Sequence, residues 1–362
     1  MPARTPAAAL AVPARTPAAA SAVPARTTAA HLRRGINITA WFRFPASREP
    51  AVLANYLSDV ALRDLRAAGF DFVRLAVDPV VVEPQRPVLL EAIRRIQRQG
   101  MTALVSPHPQ NWRLETSKAD RDRLRAFWQT LAPALRPLDP ARLAVEVLNE
   151  PVFAGDPAGW MALQHLLLTD IRQALPNVTI VLTGQDWGSA EGLLNLRPEA
   201  DRNVLYSFHY YDPAELTSLA AYRPGLDRVA LSRLPFPVDD RSACEMTAVR
   251  SGDVPTRELM QYYCRLRWDT ARITVQLARV ADWARTYHVQ ILAGEFGASA
   301  ELNPAARVAW LKAVHDALES QGIGWALWGY DDVMGLAVTR PPGHRPDLDA
   351  AVLTALGMTA RM

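Results

Sequence analysis

Eight short apolar runs, separated by segments of helical period, constrain this chain more than any other feature. They are Gly35–Thr39, Phe70–Val77, Met101–Pro107, Arg142–Asn149, Val178–Thr183, Val204–Phe208, Val289–Glu295 and Gly324–Trp328. Each has the length and bounding signals of a buried strand. Helical patterns follow most of them, at Asn55–Ala68, Val88–Gln99, Lys118–Leu135, Trp160–Ala174, Arg257–Tyr287, Ala305–Ser320 and Leu348–Leu356. After the fifth run the connection is short and its helix less distinct. Eight such alternations predict an α/β chain folded as a single-domain (β/α)8 barrel, in preference to an open doubly wound sheet. No Gly-rich phosphate loop follows the first run, which argues against a dinucleotide fold.

The barrel domain is expected to span residues 31–362. Ahead of it, Pro2-Ala-Arg-Thr-Pro-Ala-Ala-Ala recurs at Pro13 and again, as Pro24-Ala-Arg-Thr-Thr-Ala-Ala, with a period of 11. Such a composition cannot bury a core, and its prolines break helices, so residues 1–30 are expected to be disordered. Ala20-Ser21-Ala22 resembles a cleavage site, but the stretch Ala7–Val12 is too short for an export signal. Secreted, periplasmic and cytoplasmic locations all stay open. The formal charge of +3 equals the contribution of Arg4, Arg15 and Arg26 in the repeat, so the rest of the chain is formally neutral. The pI of 9.0 is therefore no sign of nucleic-acid binding. No apolar run reaches the roughly 18 residues that span a bilayer.

Several strand ends carry reactive side chains. Glu150 closes the run from Leu143, and Glu295 closes the run from Val289. A carboxylate where a strand leaves the core is costly unless a site uses it. Barrels of this kind place their active sites at the C-terminal ends of the strands. Two carboxylates converging on one pocket is the arrangement that glycosidic bond cleavage needs. The histidines His31, His165, His288, His315 and His344 have no metal-ligand spacing, and no His-x-His or Cys-x-x-Cys occurs, so neither a metal nor a cofactor is expected.

Trp128, Trp268, Trp283 and Trp310 lie in helical patterns and read as packing residues. Trp41, Phe42 and Phe44 follow the first strand, Trp112 the third and Trp187 the fifth, where loops open onto the catalytic face. Two readings stay open for them, as sugar-stacking platforms or as loop anchors. Tyr330, Asp331 and Asp332 follow the eighth strand and are further candidates to line the cleft. Cys244 and Cys264, the only cysteines, suit either a disulfide or two separate buried thiols.

In chain order the sequence holds Arg74 in FVRLAV, His108 in VSPHPQNW, Asn149-Glu150 in EVLNEP, His209 and Tyr211 in FHYYDP, Glu295 in AGEFG and Trp328 in WALWGY. This ordered set resembles glycoside hydrolase family 5, the cellulase-like retaining barrels, over roughly residues 34–357. The resemblance implies that Glu150 is the general acid and base, with its pKa raised, and that Glu295 is the ionised nucleophile. It implies that Arg74 holds Glu295 ionised; Glu146 is a second candidate partner for that arginine. Tyr211 would donate to the nucleophile, and Asn149 would bond the sugar 2-hydroxyl. His108 and His209 would meet substrate hydroxyls or Glu150, and Trp328 would offer a flat face to a sugar ring. The implied partner is a β-linked polysaccharide or oligosaccharide, cleaved by a monomeric endo-β-1,4-glucanase. A β-mannanase, β-1,3-glucanase, exo-β-glucosidase, transglycosylase or non-catalytic glycan-binding barrel are the alternatives. The segment from Pro213 to about residue 256 departs from the family pattern, and this insertion is expected to wall one side of the cleft.

Overall fold

The computed structural model describes residues 31–337 and 347–359. The repeat of residues 1–30 and His344 lie outside the described residues. The strands are β1 (Arg34–Phe42), β2 (Phe72–Val77), β3 (Thr102–Pro107), β4 (Leu143–Glu146), β5 (Thr179–Thr183), β6 (Val204–Tyr210), β7 (Ile291–Phe296) and β8 (Gly324–Leu327). Each pairs in parallel with the next, and β8 pairs with β1, so the sheet closes as the expected barrel. The outer helices are α1 (Asp59–Ala68), α2 (Arg86–Arg98), α3 (Lys118–Leu135), α4 (Pro157–Ala174), α5 (Ala190–Leu194), α6 (Thr270–Tyr287), α7 (Pro304–Ser320) and α8 (Ala350–Ala355). Their starts are local in origin. Ser58, Ser117, Asp156, Ser189, Asp269, Asn303 and Asp349 each accept a hydrogen bond from an otherwise unpaired first-turn N–H.

Side chains alternate across each strand, so every second residue faces the barrel interior. Near the N-terminal mouth the interior is an apolar plug of Leu32, Phe72, Leu104, Ala144, Val181, Leu205, Leu292 and Ala326. Phe72 fits there because Gly35 faces it; a Cβ on Gly35 would lie 2.2 Å from the ring. Two residues further along the strands the interior turns polar, with Arg74, Ser106, Glu146, Thr183 and Ser207. The plug closes the bottom of the barrel, and the polar layer above it is the floor of the site.

The expected helix Arg257–Tyr287 is two helices, Val254–Leu266 and α6. Arg267 breaks it with a left-handed backbone (φ 49°), and Asp269 caps the next start. Cys244, on a helix at Arg241–Val249, is disulfide-bonded to Cys264 on Val254–Leu266, which selects the first of the two cysteine readings. This segment is not an appendage. Leu231, Met260, Tyr263 and Cys264 belong to the same continuous core as the barrel–helix interface.

Candidate active site

Arg74 organises the polar layer. Its side chain is fully buried, and its Nη1 donates to Glu295 Oε1 at 2.6 Å and to Asn37 Oδ1 at 2.9 Å. Nη2 lies 2.6 Å from Glu146 Oε2 and donates to Asn149 Oδ1 at 2.8 Å; Nε donates to Glu146 Oε2 at 2.9 Å. One guanidinium thus ties together β1, β4, β7 and the loop after β4. It serves both of the roles weighed for it, as structural ion pair and as partner of Glu295. Glu146 Oε1 accepts no hydrogen bond among the described residues.

Simple alternation would turn Glu295 away from this layer, because Leu292 and Gly294 already face inward. The register between β6 and β7 slips between Phe208 and His209, so that Phe208 sits opposite Ala293 but His209 opposite Glu295. This bulge brings consecutive residues to one face. Gly294 permits it; a Cβ there would lie 2.4 Å from Ser207 Oγ. Tyr211 Oη then donates to Glu295 Oε2 at 2.9 Å. Burial holds the Tyr211 hydroxyl well above its ordinary pKa, so it remains a donor.

Glu150 reaches the same spot from β4. Its backbone is left-handed (φ 39°), a strained state for a non-glycine residue and one that collects at functional sites. His209 Nδ1 lies 2.9 Å from Glu150 Oε1 and 3.5 Å from Glu295 Oε2. One oxygen of each carboxylate and a ring nitrogen of His209 all lie within 4.8 Å of one another. A divalent cation there would compete with Arg74, which already supplies positive charge to Glu295.

The electrostatics of the site differ from the sequence expectation. Burial pushes the Glu295 carboxyl up, and His209 and Arg74 only partly offset this. Burial also pushes Glu150 up, but its hydrogen bond to His209 and the charges of His209, Arg43 and Arg74 bring it below the usual range. His209 is raised: burial opposes its charge, but Glu295 and Glu150 outweigh that. The two carboxylates thus favour positive charge on His209, whose Nδ1 is one hydrogen bond away from Glu150. His108 is driven well below the usual histidine range by burial and is neutral. Neither of its ring nitrogens has a partner among the described residues.

A cleft of about 560 Å³ opens over Glu150, and its walls include Arg43, His108, Trp112, Asn149 and Trp187. Trp187 is 57% exposed, presented by a turn in which Asp186, Trp187 and Gly188 are all left-handed. Trp112 is half-buried beside it. Trp328 is half-buried and stacks toward His108, with centroids 6.0 Å apart. Trp41 corrects our reading. It lies inside β1, fully buried, and its Nε1 donates to Leu53 O at 2.8 Å, so it cannot meet a sugar. Phe42 and Tyr330 are also buried. Asp331 accepts from the Thr39 and Ala40 backbone and from Thr39 Oγ1, anchoring its loop to β1. The insertion braces the other side of the site, with Thr217 Oγ1 donating to Tyr211 O. A larger cavity of about 790 Å³ lies at the opposite mouth, around Leu32, Arg285 and His288, and neither Glu150 nor Glu295 lines it.

Two residues of the site were missed from sequence. Asn37 holds Arg74 and donates through Nδ2 to Gly294 O and Leu327 O. An asparagine inside the apolar run Gly-Ile-Asn-Ile was its signal. Arg43 lies in the cleft wall, and its signal was a cation between aromatics in Trp-Phe-Arg-Phe.

Comparison with known proteins agrees with this geometry. A family model described as Cellulase (glycosyl hydrolase family 5) matches residues 37–332. Endoglucanase C of Acetivibrio thermocellus is 21% identical over 317 residues, covering 82% of this chain and 91% of that protein. Endoglucanase 3 of Fibrobacter succinogenes is 21% identical over 330 residues, covering 83% of this chain; the chain spans about half (49%) of that protein. Among solved structures, Thermotoga maritima Cel5A in complex with cellobiose superposes with a TM-score of 0.71 at 21% identity, covering 92% of this chain and all (100%) of that one. The same protein has also been solved with mannotriose.

Proposed function

Because the chain belongs to glycosyl hydrolase family 5, a family of retaining glycoside hydrolases, we propose that it is an endo-acting β-1,4-glucanase with Glu150 as acid and base and Glu295 as nucleophile. The observation that carries this reading is the approach of a Glu150 oxygen and a Glu295 oxygen to within 4.8 Å, with His209 beside both. Retaining chemistry needs carboxyl groups about 5–5.5 Å apart; the inverting route needs room for a water between them.

In this reading Glu295 attacks the anomeric carbon as Glu150 protonates the departing glycosidic oxygen. The C–O bond to the leaving sugar breaks, and an ester to Glu295 forms. Water, deprotonated by Glu150, then attacks the same carbon and frees Glu295. Substrate binding also accounts for how Glu150 gains its proton. The Glu150 side chain is 31% exposed, and a sugar seated above it would cover that surface. Desolvation disfavours the carboxylate, so the proton passes from His209 Nδ1 to Glu150 along their 2.9 Å hydrogen bond. Arg74 and Tyr211 hold one oxygen each of Glu295, leaving the carboxylate oriented for attack.

Trp328, Trp112 and Trp187 are read as sugar platforms, and their spread favours an open cleft for a chain over a pocket for one sugar. The endoglucanase relatives support the β-1,4-glucan reading. A β-mannan is the second reading, favoured by the mannotriose complex of Thermotoga maritima Cel5A. Incubation with cello- and manno-oligosaccharides, with product lengths and anomers followed by NMR, tests both. Internal cleavage of cello-oligosaccharides with a β-configured first product is expected. Hydrolysis of neither series, or an α-configured first product, overturns the proposal.

A further inference from the structure

Arg43 is the cation at this site that the proposed chemistry does not use. It follows β1 directly and lines the cleft with Glu150 and Trp187. Its guanidinium carbon lies 4.7 Å from the centroid of the Phe44 ring and 5.7 Å from that of Trp328. Among the described residues no carboxylate is within ion-pair distance of it, and Nε is buried without a hydrogen-bond partner. Arg74, a few residues deeper, shows the contrast: every one of its nitrogens is used. A part-buried guanidinium without acceptors is costly, and such groups normally find a partner in protein, water or ligand.

We propose that Arg43 is a substrate-contacting, specificity-determining residue whose guanidinium donates hydrogen bonds to the hydroxyls of the sugar seated against Trp328. Three features carry this. The flanking rings fix the guanidinium plane, so the donors are pre-oriented and little rotamer entropy remains to be lost on binding. The group stands in the cleft wall beside the aromatic face on which a sugar ring is read to lie. The neighbouring charges favour an uncharged ligand: Glu295 and Glu150 act on Arg43 together with the opposing charge of Arg74, so no excess positive charge is left to recruit an anion and the acceptor is a neutral hydroxyl. Burial lowers the Arg43 pKa from its ordinary value, but an arginine starts so far above neutrality that it stays charged and the contact persists across the working pH range.

This inference rests on the catalytic reading of Glu150 and Glu295, and its test separates the two. Aryl β-cellobioside and its monodeoxy analogues are assayed with the native protein, Arg43→Met and Arg43→Lys. Hydrogen bonds to a charged donor predict that Arg43→Met lowers kcat/KM on the parent substrate roughly 10- to 150-fold. One deoxygenation should cost the native protein a similar factor and cost Arg43→Met little, because the same contact is already lost. Arg43→Lys should recover part of the rate. Unchanged kcat/KM in Arg43→Met, or an equal penalty in both proteins for every deoxygenation, overturns the proposal. So does a shift of the acid limb of the pH profile with deoxy sensitivity intact, which would make Arg43 a charge acting on the carboxylates. Binding of cellotetraose to Glu295→Gln, with and without Arg43→Met, is followed by tryptophan fluorescence. If the native protein hydrolyses nothing, the catalytic reading fails, and this titration alone decides for Arg43 (at least tenfold weaker binding) or against it (no change).

Discussion

Replacing Arg74 with Met tests the core of the site. Met has a similar stem but no charge, so the change leaves Glu146 and Glu295 buried without their shared cation. It also strands Asn37 Oδ1 and Asn149 Oδ1, which accept from the same guanidinium. Breaking a buried ion pair from one side costs about 3–5 kcal/mol, because the remaining charge is uncompensated. The loss should depend on pH in a defined direction. Without the cation, the folded state holds protons on buried carboxyls that unfolded glutamates release near pH 4.3. A folded pKa raised above the unfolded one gives stability at low pH that is lost as pH rises through the folded value. The variant should therefore regain stability relative to the native protein on going from pH 7 to pH 5, by up to about 3 kcal/mol for each carboxyl that stays protonated. Urea unfolding at both pH values measures this. The double variant Arg74→Met/Glu146→Gln removes one stranded charge and should be more stable at pH 7 than Arg74→Met alone. A loss below about 1 kcal/mol, or one that does not change with pH, would refute the buried-charge argument.

Other outcomes follow from the same geometry. Trp41→Ala should cost about 3–5 kcal/mol of stability by opening a core cavity, whereas Trp187→Ala should leave the urea midpoint in place and raise KM; the reverse pattern would contradict the placement of these rings. His209→Asn removes the positive charge beside both carboxyls, so their pKa values rise and the acid limb of kcat/KM moves to higher pH; an unmoved limb would show that His209 carries no charge in the free protein. Reduction of the Cys244–Cys264 bond should lower global stability by about 3 kcal/mol in the chain-entropy model, since its segment shares the barrel's core. Loss of order confined to the insertion, with an unchanged global midpoint, would show that the shared core does not couple them.

The fold was legible because a fully buried parallel strand leaves a plain mark, an apolar run of strand length between helical patterns. Glu150, Glu295 and Arg74 stood out for a related reason: charge inside or at the end of such a run is expensive. What stayed hidden depended on register. The inward turn of Glu295 needs the bulge at Gly294; a glycine inside the run hints at a bulge, but the direction and size of the slip depend on the pairing with β6. Trp41 was misplaced because β1 continues to Phe42, past the Thr39 at which the apolar pattern pauses. The break at Arg267 has neither Gly nor Pro; only the capping Asp269 announced it. The direction of the Glu150 and Glu295 pKa shifts was also beyond the sequence, since it depends on His209 lying between the two carboxylates.

The central claim is that Glu295 forms a covalent bond to the anomeric carbon while Glu150 serves the leaving group and the water. A 2-deoxy-2-fluoro-β-cellobioside with an activated leaving group slows the second step and lets the first intermediate accumulate. The protein is then digested and its peptides weighed. The account predicts one fluorocellobiosyl group per chain, on the peptide containing Glu295, formed in step with loss of activity and absent from Glu295→Gln. An adduct on any other residue, or turnover without an adduct and with an inverted product, would contradict it.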